Sequence, residues 1–140
     1  MAGPISLRVI TPEAVALDTT CSSISFPTTD GSVGVLKDHA PMVAALGIGE
    51  LQLRGDAGDS AMFIAGGFAE VRENVVRVVT DVSEPPTDID VERASKAAER
   101  ARARLETKES TEGEHLDVLR ARASLARAIM RQQVASKYRR

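Results

Sequence analysis

At Pro85-Pro86 the hydrophobic period of this chain changes from two residues to about 3.6, and that switch limits its folds more than any other feature. Upstream, apolar and polar residues alternate in short runs. Downstream, they recur every three or four residues. A sheet buries one face and a helix buries one stripe, so two packing solutions follow one another along the chain. Charge divides at the same place: residues 1–86 hold five basic and eleven acidic side chains, and residues 87–140 hold thirteen and nine. The expected organisation is an α+β chain with a β-sandwich domain over 1–86 and a helical domain over 87–140.

The first half predicts strands. Ile5, Leu7 and Val9 alternate with Ser6 and Arg8 and stop at Thr11-Pro12. Ile24 and Phe26 alternate with Ser23 and Ser25 before Pro27 and a Thr-Asp-Gly turn. Leu51 and Leu53 flank Gln52, and the run Gly55 to Asp59 reads as a polar hairpin loop. The segments MFIAGGFAEV and VVRVVTDV flank Glu73-Asn74, a two-residue turn candidate. Short strands about ten residues apart imply an antiparallel β-sandwich or flattened barrel.

The second half predicts a two-helix antiparallel hairpin. Thr87 is the expected N-cap, with Asp90 completing an approximate capping box. Ala94, Ala98, Ala101 and Leu105 form one stripe. Gly113 interrupts, and Thr111 with Glu114 offers a second capping box. Leu116, Leu119, Ala123, Ala126, Met130 and Val134 form the stripe expected on the second helix. Alanine buries little area, under about 1 kcal/mol each, so the hairpin is expected to be weakly held and able to move.

Several classes of function are disfavoured. No apolar run approaches the roughly 20 residues that span a bilayer, and no basic start followed by an apolar block suggests a secretory signal. Cys21 is the only cysteine, so it cannot form an internal disulfide and reads as a small strand residue. Two histidines and one cysteine do not make a metal cluster. The glycines between 31 and 49 lack the Gly-Lys-Ser/Thr ending of a phosphate loop. His39 has no Ser or Cys at nucleophile spacing, and Asp30, Asp38 and Asp56 suit turns for backbone reasons. No catalytic residue and no metal site is expected.

Residues 30–51 carry glycines at 31, 34, 47 and 49, and Pro41 bars Ala40 from helix. Gly31, Gly34-Val35-Leu36, His39-Ala40-Pro41, Leu46 and Gly49 resemble the signature of the epsilon-subunit family of F-type ATP synthases. AGGFAEVRENVVRVV at 65–79 and IDVERA at 89–94 resemble it too, so the likeness spans nearly the whole chain. It implies the same sandwich and hairpin in a non-catalytic subunit of the central stalk. Such a subunit couples proton-driven rotation to ATP synthesis, and its C-terminal helices inhibit ATP hydrolysis. The implied partners are the gamma subunit, the membrane c-ring and the alpha/beta catalytic head. The implied place is peripheral, on the cytoplasmic face of the cell inner membrane, without insertion into it.

The resemblance also assigns residues. Glu13, Asp38, His39 and a loop from Gly31 to Leu36 are the expected contacts of the sandwich. IDVERA is similar to the family's Ile/Leu-Asp-x-x-Arg-Ala motif, which forms an ATP site in some members. It implies ATP as a regulatory ligand, with no cofactor required. Glu84 and Asp90 would orient the nucleotide, Ile89, Arg93 and Ala94 line its pocket, and Arg100, Arg127 and Arg131 hold phosphates. Independently of the resemblance, seven basic residues against Asp117 beyond His115 call for an acidic partner. Arg120, Arg122, Arg127, Arg131, Lys137, Arg139 and Arg140 are the side chains expected to grip it. Extended, residues 89–140 reach about 75 Å at 1.5 Å per residue. The bland alternative is a solvated face of i,i+4 pairs worth about 0.3–0.5 kcal/mol each. A nucleic-acid-binding module is the rival function, opposed by acidic overall charge and a lack of stacking aromatics.

Overall fold

Alternation along β1 (Ile5–Ile10) buries Ile5, Leu7 and Val9 and leaves Ser6 and Arg8 outside. The computed structural model describes residues 4–55, 58–109 and 115–138, with 107–109 and 115–117 as backbone only. Nine further strands follow: β2 (Val15–Cys21), β3 (Ser23–Thr28), β4 (Gly31–Leu36), β5 (Met42–Ala45), β6 (Ile48–Gly55), β7 (Gly58–Ala65), β8 (Phe68–Arg72), β9 (Val75–Val79) and β10 (Val82–Glu84). They form two five-stranded sheets, ordered β2-β1-β9-β8-β5 and β10-β7-β6-β3-β4. Ile5, Leu7, Phe26, Leu51, Ile64, Val76 and Val78 fill the space between, each at most 2% exposed. A side chain of that size contributes about 1.5–3 kcal/mol on full burial.

Two turns have backbone reasons. Glu73 and Asn74 both take positive φ, at 49° and 63°, the type I′ geometry that matches hairpin twist. MFIAGGFAEV reads as one segment by periodicity, but it breaks at Gly66-Gly67 and places β7 and β8 in different sheets. Gly67 has φ 99°, and a Cβ there would overlap the Val79 carbonyl and lie 2.8 Å from the Thr80 Cα. Only glycine fits this corner.

The fold also differs from a purely antiparallel sandwich, because β1 pairs β9 in parallel, Ser6 beside Val75 through Ile10 beside Val79. The first strand enters between β2 and β9, a pairing that no local signal encodes. The Gly31–Leu36 segment, expected as a loop, is the edge strand β4. Val33 and Val35 do point to the core side, but the alternate face carries Gly34 and the exposed Leu36 beside Ser32, so little polar signal marks the period. Pro27 is tolerated because β6 pairs β3 only at Ser23–Ser25, leaving Pro27 opposite Ser32 alone. Within the Gly55–Asp59 turn, Gly55 and Gly58 face each other; Asp56 and Ala57 lie outside the described residues.

Contacts divide the chain into two units, Met1–Pro85 and Pro86–Arg140. The second begins with a 3-10 turn at Pro86–Asp88 and continues as α1 (Val91–Glu109) and α2 (His115–Tyr138). Thr87 is not the cap of α1, because it lies inside that 3-10 turn. Asp90 is the cap: its Oδ1 accepts the Arg93 N–H at 3.0 Å, and its carbonyl accepts the Ala94 N–H at 3.0 Å. Gly113 and the Thr111–Glu114 capping box lie outside the described residues. Five residues separate the helices, too few to return along α1, so the helices are antiparallel.

α1 buries Ala94, Ala98 and Ala101, with Leu105 half-buried, as the spacing predicts. On α2 the fully buried alanines are Ala121, Ala128 and Ala135, a heptad row. The expected stripe lies on another face of α2. There Val134 is buried, Ala123, Ala126 and Met130 are half-buried, and Leu119 is 47% exposed. The side chain of Leu116 lies outside the described residues. Alanine supplies apolar surface to both faces of α2, so periodicity does not choose between them. Close approach against the alanines of α1 favours the row with the smaller side chains.

Candidate functional site

On the sandwich, chemistry gathers where β4 crosses to β5, taking the chain from one sheet to the other. The Leu36 carbonyl accepts the His39 N–H at 3.2 Å and closes a turn with Asp38 at φ 63°. Asp38 donates its N–H to Asn74 Oδ1 at 2.7 Å, and Asn74 Nδ2 donates to Asp38 Oδ1 at 3.2 Å. The Asn74 carbonyl also accepts the Ser6 N–H at 2.9 Å, tying the loop to β1 through the β8–β9 turn. His39 is half-buried, and its Nδ1–H donates to the Ala40 carbonyl at 2.7 Å, which directs Nε2 away from that bond. Pro41, Met42, Val43, Glu70, Val71 and Arg72 line a shallow hollow of about 290 Å³ directly after this loop.

Beside it runs a feature that the alternation of single strands does not reveal. Ala45, Phe68, Val79 and Ile10 lie in register across β5, β8, β9 and β1, on the outer face of their sheet. A register shift at Val9/Ile10 brings Val15 of β2 into the same row. Val15, Phe68 and the neighbouring Val43 are 52%, 45% and 72% exposed. An apolar row crossing a whole sheet at the surface suits a partner more than water. Of the other expected contacts, Glu13 is exposed and Gly31 sits at φ 124° where β4 begins.

On the hairpin, Arg93, Arg100, Arg120, Arg122 and Lys137 are exposed, whereas Arg127 and Arg131 are half-buried. Arg93 and Arg100 each precede a buried alanine of α1, and Arg127 precedes Ala128 of α2. In an antiparallel pair whose alanines face each other, this puts both arginine rows on the same flank. Residues equally far from the connection are level, so Arg93 stands beside Arg131. Arg127 Nη2 donates to Ser124 Oγ at 3.2 Å, and Lys137 lies 5.4 Å from the Tyr138 ring centroid. Ile89 and Ala94 are 1% and 4% exposed, hence committed to packing. Asp90 spends one carboxylate oxygen on the helix cap. Glu84 belongs to β10 of the sandwich unit. Arg139 and Arg140 lie outside the described residues.

A flank of guanidinium groups repels itself and favours an anion that joins them. Among the described residues no three His, Cys, Asp or Glu side chains converge on a metal position, and no helix is long and apolar enough to cross a membrane. Burial pushes the Cys21 thiol up from its ordinary range. Its Sγ–H points to the Ile5 carbonyl at 3.8 Å.

Comparison with known proteins accounts for both units. Residues 4–86 match the family described as ATP synthase, Delta/Epsilon chain, beta-sandwich domain, and residues 87–136 match its long alpha-helix domain. The ATP synthase epsilon chain of Symbiobacterium thermophilum is 42% identical over 132 residues, which are 94% of this chain and 92% of that one. That of Syntrophomonas wolfei is 40% identical over 132 residues, 94% and 93% of the two chains. Among solved structures, a chain in the OSCP/F1/c-ring of Euglena gracilis mitochondrial ATP synthase is similar at TM-score 0.76 and 28% identity. The match covers 96% of this chain and 82% of that one. A chain in the central stalk/c-ring of the Tetrahymena thermophila enzyme shares the fold at TM-score 0.65 and 13% identity, covering 93% and 95%.

Proposed function

This chain belongs to the delta/epsilon-chain family of ATP synthase, as an epsilon-type subunit of the central stalk rather than a catalytic one, and from that premise we propose a division of labour between its two units. The sandwich docks on the gamma subunit and the c-ring. The hairpin restrains ATP hydrolysis in the alpha/beta head and reads ATP through its arginine flank. The subunit works as a peripheral component on the cytoplasmic face of the cell inner membrane. The nucleic-acid reading finds no support in these relatives.

The observation that carries the regulatory part is the arginine arrangement. Arg93 and Arg100 on α1, with Arg127 and Arg131 on α2, present guanidinium groups along one flank of a hairpin held mainly by alanines. An anion bridging the two rows stabilises the closed hairpin. By linkage, any state that separates the helices then binds that anion less well. ATP supplies the charge, and when it is scarce the opened helices present Arg120, Arg122 and Lys137 to an acidic surface of the head. In this reading Ile89 and Ala94 support the flank from within the packing, and Asp90 holds the start of α1, whereas Glu84 belongs to the sandwich unit.

The supporting experiment is a calorimetric titration of the full chain with ATP, with and without magnesium, beside an Arg93→Ala, Arg127→Ala double variant. Saturable binding lost in the variant supports nucleotide sensing. No heat up to millimolar ATP refutes it and leaves the arginines as contacts with the head. Arg120→Glu with Arg122→Glu in the reconstituted synthase should raise ATP hydrolysis; unchanged hydrolysis refutes the restraint.

A further inference from the structure

Asp38 is an acidic residue in the left-handed region, in a turn position where glycine or asparagine is the ordinary choice. Strain of this kind persists only where the surroundings over-determine it, and it concentrates at functional loops. Here the surroundings are the Leu36–His39 turn bond and Asn74, itself left-handed at φ 63° in the β8–β9 turn. The two side chains are 36 residues apart in sequence and exchange two hydrogen bonds, at 2.7 and 3.2 Å. One uses the strained residue's own backbone N–H. The other joins amide to carboxylate. Asn74 is anchored in turn by its carbonyl to Ser6 of β1.

We propose that the Asp38–Asn74 pair is a latch that holds the His39-Ala40-Pro41 loop in the shape in which it docks. The proposal rests on the docking reading above and assigns positioning roles to two residues that need touch no partner. A five-residue connection between sheets, with a proline and no latch, can choose among several backbone states, and each wrong state must be reordered on binding. The latch removes that choice before the partner arrives. It also couples the loop to β1 and β9, the centre of its sheet, so that force on His39 passes into the most deeply paired strands.

Glycine substitutions separate this role from stability. Asn74→Gly and Asp38→Gly both accept positive φ, so each keeps its turn; Asn74→Gly deletes both hydrogen bonds, whereas Asp38→Gly deletes only the amide–carboxylate bond and keeps the backbone N–H bond to Asn74 Oδ1. Asp38→Asn retains an acceptor oxygen for Asn74 Nδ2 and also tolerates the left-handed region. The full chain carrying each change is bound to ATP synthase depleted of this subunit, and its dissociation is timed. Asn74→Gly should leave about tenfold faster, the factor expected for losing roughly one to two ordering hydrogen bonds, and Asp38→Gly, which keeps one of the two bonds, should leave faster by a smaller factor. Asp38→Asn should stay within about twofold with the urea midpoint of the free chain unchanged, and any fall in the midpoint of the glycine variants should be smaller than their loss of docking. Unchanged dissociation in both glycine variants, with His39→Glu still weakening docking, overturns the latch. Dissociation that merely follows a fall in the midpoint overturns it as well. If His39→Glu itself has no effect, the docking reading falls, and the latch with it.

Discussion

Three glycines of the sandwich make one substitution, Gly→Ala, into a graded measurement of what holds the two sheets together. Gly34 has an ordinary φ and open space where its Cβ would go. Gly31 has the same open space but φ 124°, so alanine meets strain alone, about 1–3 kcal/mol. Gly67 combines φ 99° with a Cβ position already filled by the Val79 carbonyl. Relief there requires β8 and β9 to part at the Phe68–Val79 pair, an overpacking cost of about 1–3 kcal/mol added to the strain. The expected losses are therefore none for Gly34→Ala, about 1–3 kcal/mol for Gly31→Ala and about 2–6 kcal/mol for Gly67→Ala. A domain of this size shifts its Tm by about 4–8 °C per kcal/mol, so Gly67→Ala should lower it by at least about 8 °C. Gly34→Ala should be neutral or slightly stabilising, since alanine restricts the unfolded chain. Thermal scans followed by the sheet signal in circular dichroism give the order directly. Gly67→Ala melting within a few degrees of Gly34→Ala would refute the argument that the corner between sheets is sterically closed.

Other outcomes follow from single contacts. Asp90→Ala removes the α1 cap and should cost the hairpin about 1 kcal/mol, read as an earlier loss of helical signal, whereas Thr87→Ala should leave α1 intact. Burial raises the Cys21 thiol above the ordinary 9.0, so the folded state keeps its proton to higher pH than the unfolded state does. That preference is fully present below about pH 9 and is lost above it, so the urea midpoint should fall on the alkaline side, and more in the parent than in Cys21→Ala. Phe68→Ser interrupts the apolar row on the outer face and should weaken assembly with the stalk without changing the fold, since Phe68 is 45% exposed; unaltered co-sedimentation with the complex would count against that row. Glu92→Gln breaks the Lys96–Glu92 pair at 3.3 Å, and with both side chains mostly exposed the melting curve should move by less than about 0.5 kcal/mol.

Strands with clean alternation, such as β1, β6 and β9, are legible because burial acts on every second residue. β4 is hidden because its outward positions are Ser32, Gly34 and the exposed Leu36, of which only Ser32 gives a polar signal to alternate with the valines. The break at Gly66-Gly67 is visible in composition, yet its meaning, a change of sheet, depends on Val79 and Thr80, remote in the chain. The hairpin is legible as two helices, and the seam of α1 follows from its spacing. The seam of α2 does not, since alanines on both faces satisfy the same period. Thr87 and Asp90 are both good capping residues, and the 3-10 turn that absorbs Thr87 decides between them. The arginine set is a sequence feature, whereas its common flank needs the antiparallel geometry. The Asp38–Asn74 pair and the row from Val15 to Ala45 exist only through register, which no local pattern states.

The parallel seam between β1 and β9 has a further consequence, during synthesis on the ribosome. β9 begins at Val75, 65 residues after β1 ends at Ile10. At about 5–20 residues per second the first strand waits roughly 3–13 seconds for its inner neighbour, with only β2 at its side. For that interval the hairpin β1–β2 shows water a row of unpaired backbone groups and the apolar face of Ile5, Leu7 and Val9. Translation speed through residues 11–75 therefore sets how long the nascent chain is open to mispairing. Once β9 emerges the sandwich can complete itself before the arginine-rich helices exist, so the docking unit is ready before the regulatory one is made.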